Sequence, residues 1–349
     1  MRLSVKTVTT LPRLRSWLGV LSLAAGLGMT APLAAAPSKP LLVVSFDSTR
    51  ELLTEINQQF NVSRKAAGQT ETSIRVSNGA SGAQARAVMS GLDADLVLLS
   101  MAPDIQVLAD QAKLLPADWQ SRWPNGSSPF YSTIVFLVRQ GNPKKIHDWG
   151  DLIKGDVKII TPNPKTSGAA RFAYLAAYGA ALQSGKTDAE AREYLRQFYS
   201  RVLVLDSGSR AATTTFAERE QGDVMVSWES EARLAALELK GKKFEIVTPK
   251  ISIKADPVVA AVDANVKNHQ SEAEVTAFIK FLFEPPAQAI IAKHNFRPRL
   301  ASAEKIGNFP KVKLFTVEQQ FGGWPKAIKD HFADGGSFDQ VYAKVGEMR

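Results

Sequence analysis

Three stretches of small residues could bind a charged group: SGAQAR at 81–86, TSGAAR at 166–171 and SGSRAATTTF at 207–216. The first two stand in front of helical periodicity, with Ala85, Val88, Met89 and Leu92 after one and Phe172, Leu175 and Leu182 after the other. A helix start offers unpaired backbone N–H groups and the positive end of the helix dipole, so it attracts an anion without needing a cation. Small side chains let the anion reach the backbone, and each Ser adds a hydroxyl. One Ser-Gly before a helix is an ordinary N-cap. Three in one chain point to a shared anion, with Ser81-Gly82-Ala83, Ser167-Gly168-Ala169 and Ser207-Gly208-Ser209 as its donors. Trp228 ends the apolar run VMVSW; either it packs at a domain edge, or its indole N–H, which can only donate, completes a pocket made of donors.

Rival chemistries have less behind them. GASGA at 79–83 approaches the G-x-S-x-G nucleophile elbow but ends in Ala and follows no convincing strand, so a secreted hydrolase using Ser81 is the alternative of a different class. A triad also needs a histidine, and His147, His269, His294 and His331 all lie in polar, surface-like stretches. His147-Asp148 reads as a solvated pair rather than a metal or base site. Metal-binding, P-loop and dinucleotide motifs are missing, so neither a metal nor a cofactor is expected. Asp47 could accept a proton from phosphate, or simply open the helix that starts near Ser48.

The elements that must position these residues alternate. LLVVS (41–45), LVLL (96–99), IVFLV (134–138), VKIIT (157–161), VLVL (202–205) and VMVSW (224–228) read as buried strands, with amphipathic helices between most of them. Ser48 and Glu51 form a capping-box pattern, and Ala191, Tyr194, Leu195 and Phe198 mark a further helix. This alternation predicts an α/β fold with largely parallel sheets covered by helices. From 244 to 263 two β-rich runs are joined without a helix signal, which suggests an extended crossing between two lobes. A helix over 271–284 ends at Pro285-Pro286, and the tail reads as loops and short helices packed on an existing lobe.

Residues 1–36 differ from the rest. Arg2, Lys6, Arg13 and Arg15 precede the apolar run Trp17 to Met29 and the small-residue stretch APLAAA, the pattern of a cleaved secretory signal peptide. The net charge of +9 includes those four basic residues, which leaves +5 for the remainder. That excess is mild and has no Lys/Arg block, which argues against nucleic acid and suits a protein that meets anions. The chain has no cysteine, so an exported form is held by its core alone.

The chain resembles the periplasmic sulfate-binding proteins of ABC importers and the related thiosulfate-binding proteins. The resemblance rests on SFDSTREL, SNGASGAQARAV, DADLV, STIVFLVRQGNPKKIHDW, ITPNPKTSGAARF, LDSGSRAATTTFAER, GDVMVSWESEA, FEIVTP, FRPR and LFTVEQQFGGW, in order along nearly all of the chain after the signal segment. It implies a two-lobed clamshell of type II, with lobe one made from 37–125 and 252–349 and lobe two from 126–251. It implies a receptor that passes sulfate or thiosulfate to a permease and its ATPase; phosphate, molybdate or tungstate are the alternative oxyanions, and nothing in the sequence suggests an oligomer, so a monomer is expected. The resemblance puts ligand contacts on Ser81, on Ser167, Gly168 and Ala169, on the backbone N–H of Ser209 and on the indole of Trp228, with Asp47 and Arg171 as supports. The three turns depart from the family pattern at four positions: Asn78 stands where histidine is usual, Ala80 and Ala169 where glycine is, and Ser209 where alanine is. The backbone donors survive if φ is negative at Ala80 and Ala169.

Overall fold

The computed structural model describes residues 39–238 and 244–346; the signal-like segment 1–36 lies outside them. Strands form where apolar β-branched runs were legible, and they assemble into two principal sheets. The first contains β1 (Leu41–Phe46), β2 (Ile74–Gly79), β3 (Leu96–Leu99) and β9 (Val258–Ala261), in the order β9-β3-β1-β2. The second contains β4 (Ile134–Arg139), β5 (Ile159–Pro162), β6 (Val202–Asp206), β7 (Val224–Trp228) and β8 (Phe244–Val247), in the order β6-β5-β7-β4-β8.

In the first sheet β1 runs parallel to both β2 and β3, and in the second β5 runs parallel to both β6 and β7. The sheets are nevertheless mixed, because β4, β8 and β9 pair antiparallel with their neighbours. The chain reaches β4 from β3 by way of the helix Ala102–Asp110, and passes from β8 back to β9 without a helix.

The relevant helices are α1 (Arg50–Ala66), α2 (Ser81–Met89), α3 (Ala102–Asp110), α4 (Gly168–Gln183), α5 (Asp188–Ser200), α6 (Ser209–Thr213) and α7 (Glu229–Glu238). α1 buries Leu52, Leu53, Ile56 and Phe60 as its periodicity predicts. Its capping box does not form: Thr49 is the N-cap and makes no side-chain cap bond, while Glu51 binds Arg210 in α6. α4 is apolar nearly all round and buried accordingly, from Gly168 to Ala181 with the exception of Arg171. The proline pair does more than end a helix, since Glu272–Leu282 stops before it and a new helix, Pro285–Lys293, opens on it.

The two passages between sheets lie side by side. Ser132 and Ala255 form an antiparallel bridge, Thr133 Oγ1 donates to Ile253 O (2.9 Å), and Arg299 reaches both Ser128 and Asp256. The segment Lys313–Gly346 packs on α4 and α5: Lys313–Phe315 pairs with Ile251–Ile253, Arg192 donates to Ser337, and Lys165 pairs with Asp339 at 2.8 Å.

His331 is buried within that packing against Tyr174, Tyr178, Phe321 and Phe332, contrary to the surface position its sequence neighbourhood predicts. Burial pushes its pKa down to about 4. An unfolded histidine titrates near pH ~6.5, so below that the unfolded chain binds a proton the folded chain refuses, and stability falls as pH drops towards the folded value. The cost at about pH 5 is about 2 kcal/mol. A His331→Phe chain should lose correspondingly less stability than the unmutated one between about pH 7 and about pH 5. Urea midpoints at the two pH values check this; equal losses would remove His331 from the account.

Candidate functional site

Parallel strands end at the same edge, and this brings the three turns together. In the second sheet β5 lies between β6 and β7, so the turn after Pro162, the turn after Asp206 and the end residue Trp228 are neighbours. Asn163 N–H donates to Asp206 O (2.8 Å) and Thr166 Oγ1 to Ser207 O (2.9 Å), tying the second turn to the third. In the first sheet β1 lies between β2 and β3, which places Asp47-Ser48, Ala80-Ser81 and Ser100-Met101 at one edge.

The two edges face each other in contact. A Cβ built on Gly168 would lie 1.9 Å from Ser100 Oγ, and one on Gly208 would lie 2.6 Å from Asp47 Oδ2 and 3.6 Å from Ala80 Cβ. Glycine at these two positions is what allows the approach. All six predicted ligand residues are buried here: Ser81, Ser167, Gly168, Ala169, Ser209 and Trp228.

The departures from the family pattern leave the backbone intact. Ala80 is extended with φ −61°, Ala169 lies in the first turn of α4, and neither is among the residues of positive φ. Ser81 and Gly82 therefore open α2, and Gly168 and Ala169 open α4, at positions where a helix has no N–H partner of its own. Strand β2 precedes GASGA after all; its sequence IRVSNG hides it, because none of its residues is fully buried at the sheet edge.

The individual side chains divide into donors left over and donors already used. Ser81 Oγ accepts from Ser100 N–H (3.0 Å) and donates to Asp104 Oδ2 (2.6 Å), so its hydroxyl is already engaged within the protein. Ser167 is the N-cap of α4, its Oγ accepting from Ala170 N–H. By contrast Ser100 Oγ, Ser209 Oγ and Trp228 Nε1 are buried with no hydrogen-bond partner. Each stands at or just past the carboxyl end of a strand whose edge faces the other sheet, and a buried donor left unmade costs about 1–3 kcal/mol. Trp228 is held by ring contacts with Phe46 (5.6 Å between centroids) and Phe172 (5.7 Å).

The charged groups around the cleft balance one another. Arg171 donates from Nε to Pro164 O (2.8 Å) and sits 3.8 Å from Asp104 Oδ1, bracing the second turn against the first. Burial raises the pKa of Asp104, with Arg171 pulling it the other way. Asp47 accepts from Ser48 N–H through Oδ1 and from Arg210 N–H through Oδ2 (3.2 Å), and burial raises its pKa despite those bonds. Arg210 is committed to Glu51 and to Glu231, which is itself buried and raised. Arg297 is committed to Glu229 at 2.6 Å. Asp104, Ser100, Arg210 and Glu231 were not singled out in the sequence; their partners lie 18 to 163 residues away, and only the position of Ser100 just past LVLL was a visible clue.

None of the four histidines is among the hydrogen-bond partners of Ser81. Instead His269 pairs with Asp93 and Asp95, His294 with Glu55, and His331 with Tyr174. Among the described residues no cluster of three His, Cys, Asp or Glu could hold a metal ion.

Two α/β sheets with facing strand ends, closing on buried hydrogen-bond donors, define a solute receptor of the periplasmic-binding-protein fold. The chain belongs to the bacterial extracellular solute-binding proteins, whose family model matches residues 41–297. It is 50% identical over 323 residues to the sulfate-binding protein of Escherichia coli (strain K12), covering 90% of this chain and 98% of that one. Identity to the thiosulfate-binding protein of Pseudomonas aeruginosa is 44% over 323 residues, covering 92% and 97%. Among solved structures, the sulfate-binding protein SubI from Mycobacterium tuberculosis H37Rv is similar with a TM-score of 0.76 at 31% identity, covering 84% of this chain and 99% of that one.

Proposed function

We propose that this chain is a periplasmic receptor that captures sulfate between its two sheets and delivers it to the permease and ATPase of an ABC importer. It is a binding protein, not an enzyme: Ser81, the nucleophile of the hydrolase alternative, has its hydroxyl held by Asp104. Residues 1–36 serve as its export signal. The ligand is met by Ser81, Ser167, Gly168, Ala169, the backbone N–H and hydroxyl of Ser209, and the indole of Trp228, with Asp47 and Arg171 bracing the turns. One lobe comprises the first sheet and its helices, the other the second; Lys313–Gly346 rides on the second by its packing, and closure turns on the paired passages near Ser132 and Ala255.

The observation that carries this reading is the set of buried, partnerless donors at facing strand ends, with the neighbouring arginines already committed to carboxylates. Sulfate is fully ionised at neutral pH and only accepts, so donors satisfy it from every side. Phosphate keeps a proton over much of that range, which would face these donors, and Asp47 at the end of β1 already accepts two N–H groups. The mismatch costs about 1–3 kcal/mol or more, a factor of roughly 5 to 150 in affinity. Thiosulfate, named for one of the relatives, has the same charge and similar size and is the second ligand to compare.

Calorimetric titration of the anion-free protein in chloride buffer tests the proposal. Tight one-to-one sulfate binding with phosphate silent is expected; silence with sulfate and thiosulfate alike would sink it.

A further inference from the structure

We propose that Ser100, which lies outside the three turns, is a further donor to the bound oxyanion, through its hydroxyl. The inference rests on the reading of the cleft as an oxyanion site. Ser100 directly follows β3 and is 1% exposed. Its two polar ends are used differently: the backbone N–H donates to Ser81 Oγ at 3.0 Å, while the side-chain Oγ has no partner. That oxygen lies against the first residue of α4, at the place where a Cβ on Gly168 would sit (1.9 Å).

Ser100 therefore touches the first turn through its backbone and the second through its side chain, one from each sheet. A hydroxyl whose job was only to fill that gap would gain nothing over a methyl group, since burying it unbonded is costly. A bound anion reached by the N–H groups of α2 and α4 is the acceptor the position lacks. Glycine at 168 is then explained by Ser100: the missing Cβ leaves room for the hydroxyl at the start of α4.

The test is a titration of sulfate into the unmutated chain, Ser100→Ala, Gly168→Ala and the double variant. Ser100→Ala keeps the backbone bond to Ser81 and is expected to bind sulfate roughly 10-fold more weakly, the effect of one lost donor to a charged acceptor, without lowering the melting temperature of the ligand-free protein. Gly168→Ala should also weaken binding, by displacing the hydroxyl. The double variant should be no worse than Ser100→Ala alone, because the added methyl then meets the residue-100 Cβ at 3.2 Å and Met101 Cγ at 3.5 Å in place of the hydroxyl oxygen at 1.9 Å. Unchanged affinity in Ser100→Ala would overturn the proposal, and so would a double variant in which the two losses add. If the unmutated chain binds no sulfate, the oxyanion reading fails and the proposal falls with it.

Discussion

Ser167→Leu is expected to abolish sulfate binding, with a loss exceeding about a hundredfold, while leaving a folded protein. Ser167 caps α4 and is 4% exposed. A leucine there has two separate effects. It removes the cap, worth about 1 kcal/mol, which lowers the melting temperature by only about 2–4 °C in a chain of this size. It also puts a branched side chain where the ligand must approach the N–H groups of Gly168 and Ala169. Losing two such bonds to a charged acceptor, each worth about 1.5–3 kcal/mol, accounts for at least a hundredfold. Calorimetry with sulfate, beside a thermal melt of the ligand-free variant, separates the two effects. Near-native affinity in a folded Ser167→Leu protein would remove the second turn from the site.

Trp228→Phe should weaken sulfate binding by roughly 10- to 100-fold, the range for one donor to a charged acceptor. Phenylalanine retains the aromatic contacts with Phe46 and Phe172 and deletes only Nε1, which is buried and without a partner. In the ligand-free protein the smaller ring leaves a void costing on the order of 1 kcal/mol, offset by removal of an unsatisfied donor, so the melting temperature should hardly move. Unchanged affinity would return Trp228 to the role of a packed edge aromatic, the other possibility its sequence allowed.

Much of this architecture was legible because the signals were local. LLVVS, LVLL, IVFLV and VMVSW are apolar runs that could only be buried strands, and they fix which residues sit at strand ends. The three Ser-Gly turns were visible for the same reason: small residues before a helical period are a short-range pattern. What escaped reading depends on distant partners. The apparent capping box of Ser48 and Glu51 fails because Glu51 turns to Arg210, 159 residues away. Strand β2 was hidden because an edge strand with one neighbour tolerates Arg75 and Asn78. His331 looked solvated beside Lys329 and Asp330, and only the aromatic rings of α4 and the tail make its position buried. The expectation of largely parallel sheets missed the antiparallel pairing of β4, β8 and β9, because their neighbours in the sheets lie about ninety or more residues away in the chain.

The packing of Lys313–Gly346 on α4 and α5 has a bearing on the order in which the molecule can fold. Tyr174, Tyr178 and Tyr199 are completed by His331, Phe332 and Phe338, ring neighbours that are made last. During synthesis α4 and α5 therefore wait through more than a hundred residues with an unfinished core, and the half that holds two of the three turns cannot close on its own. A chain ended before Lys313 would leave that aromatic surface open to association.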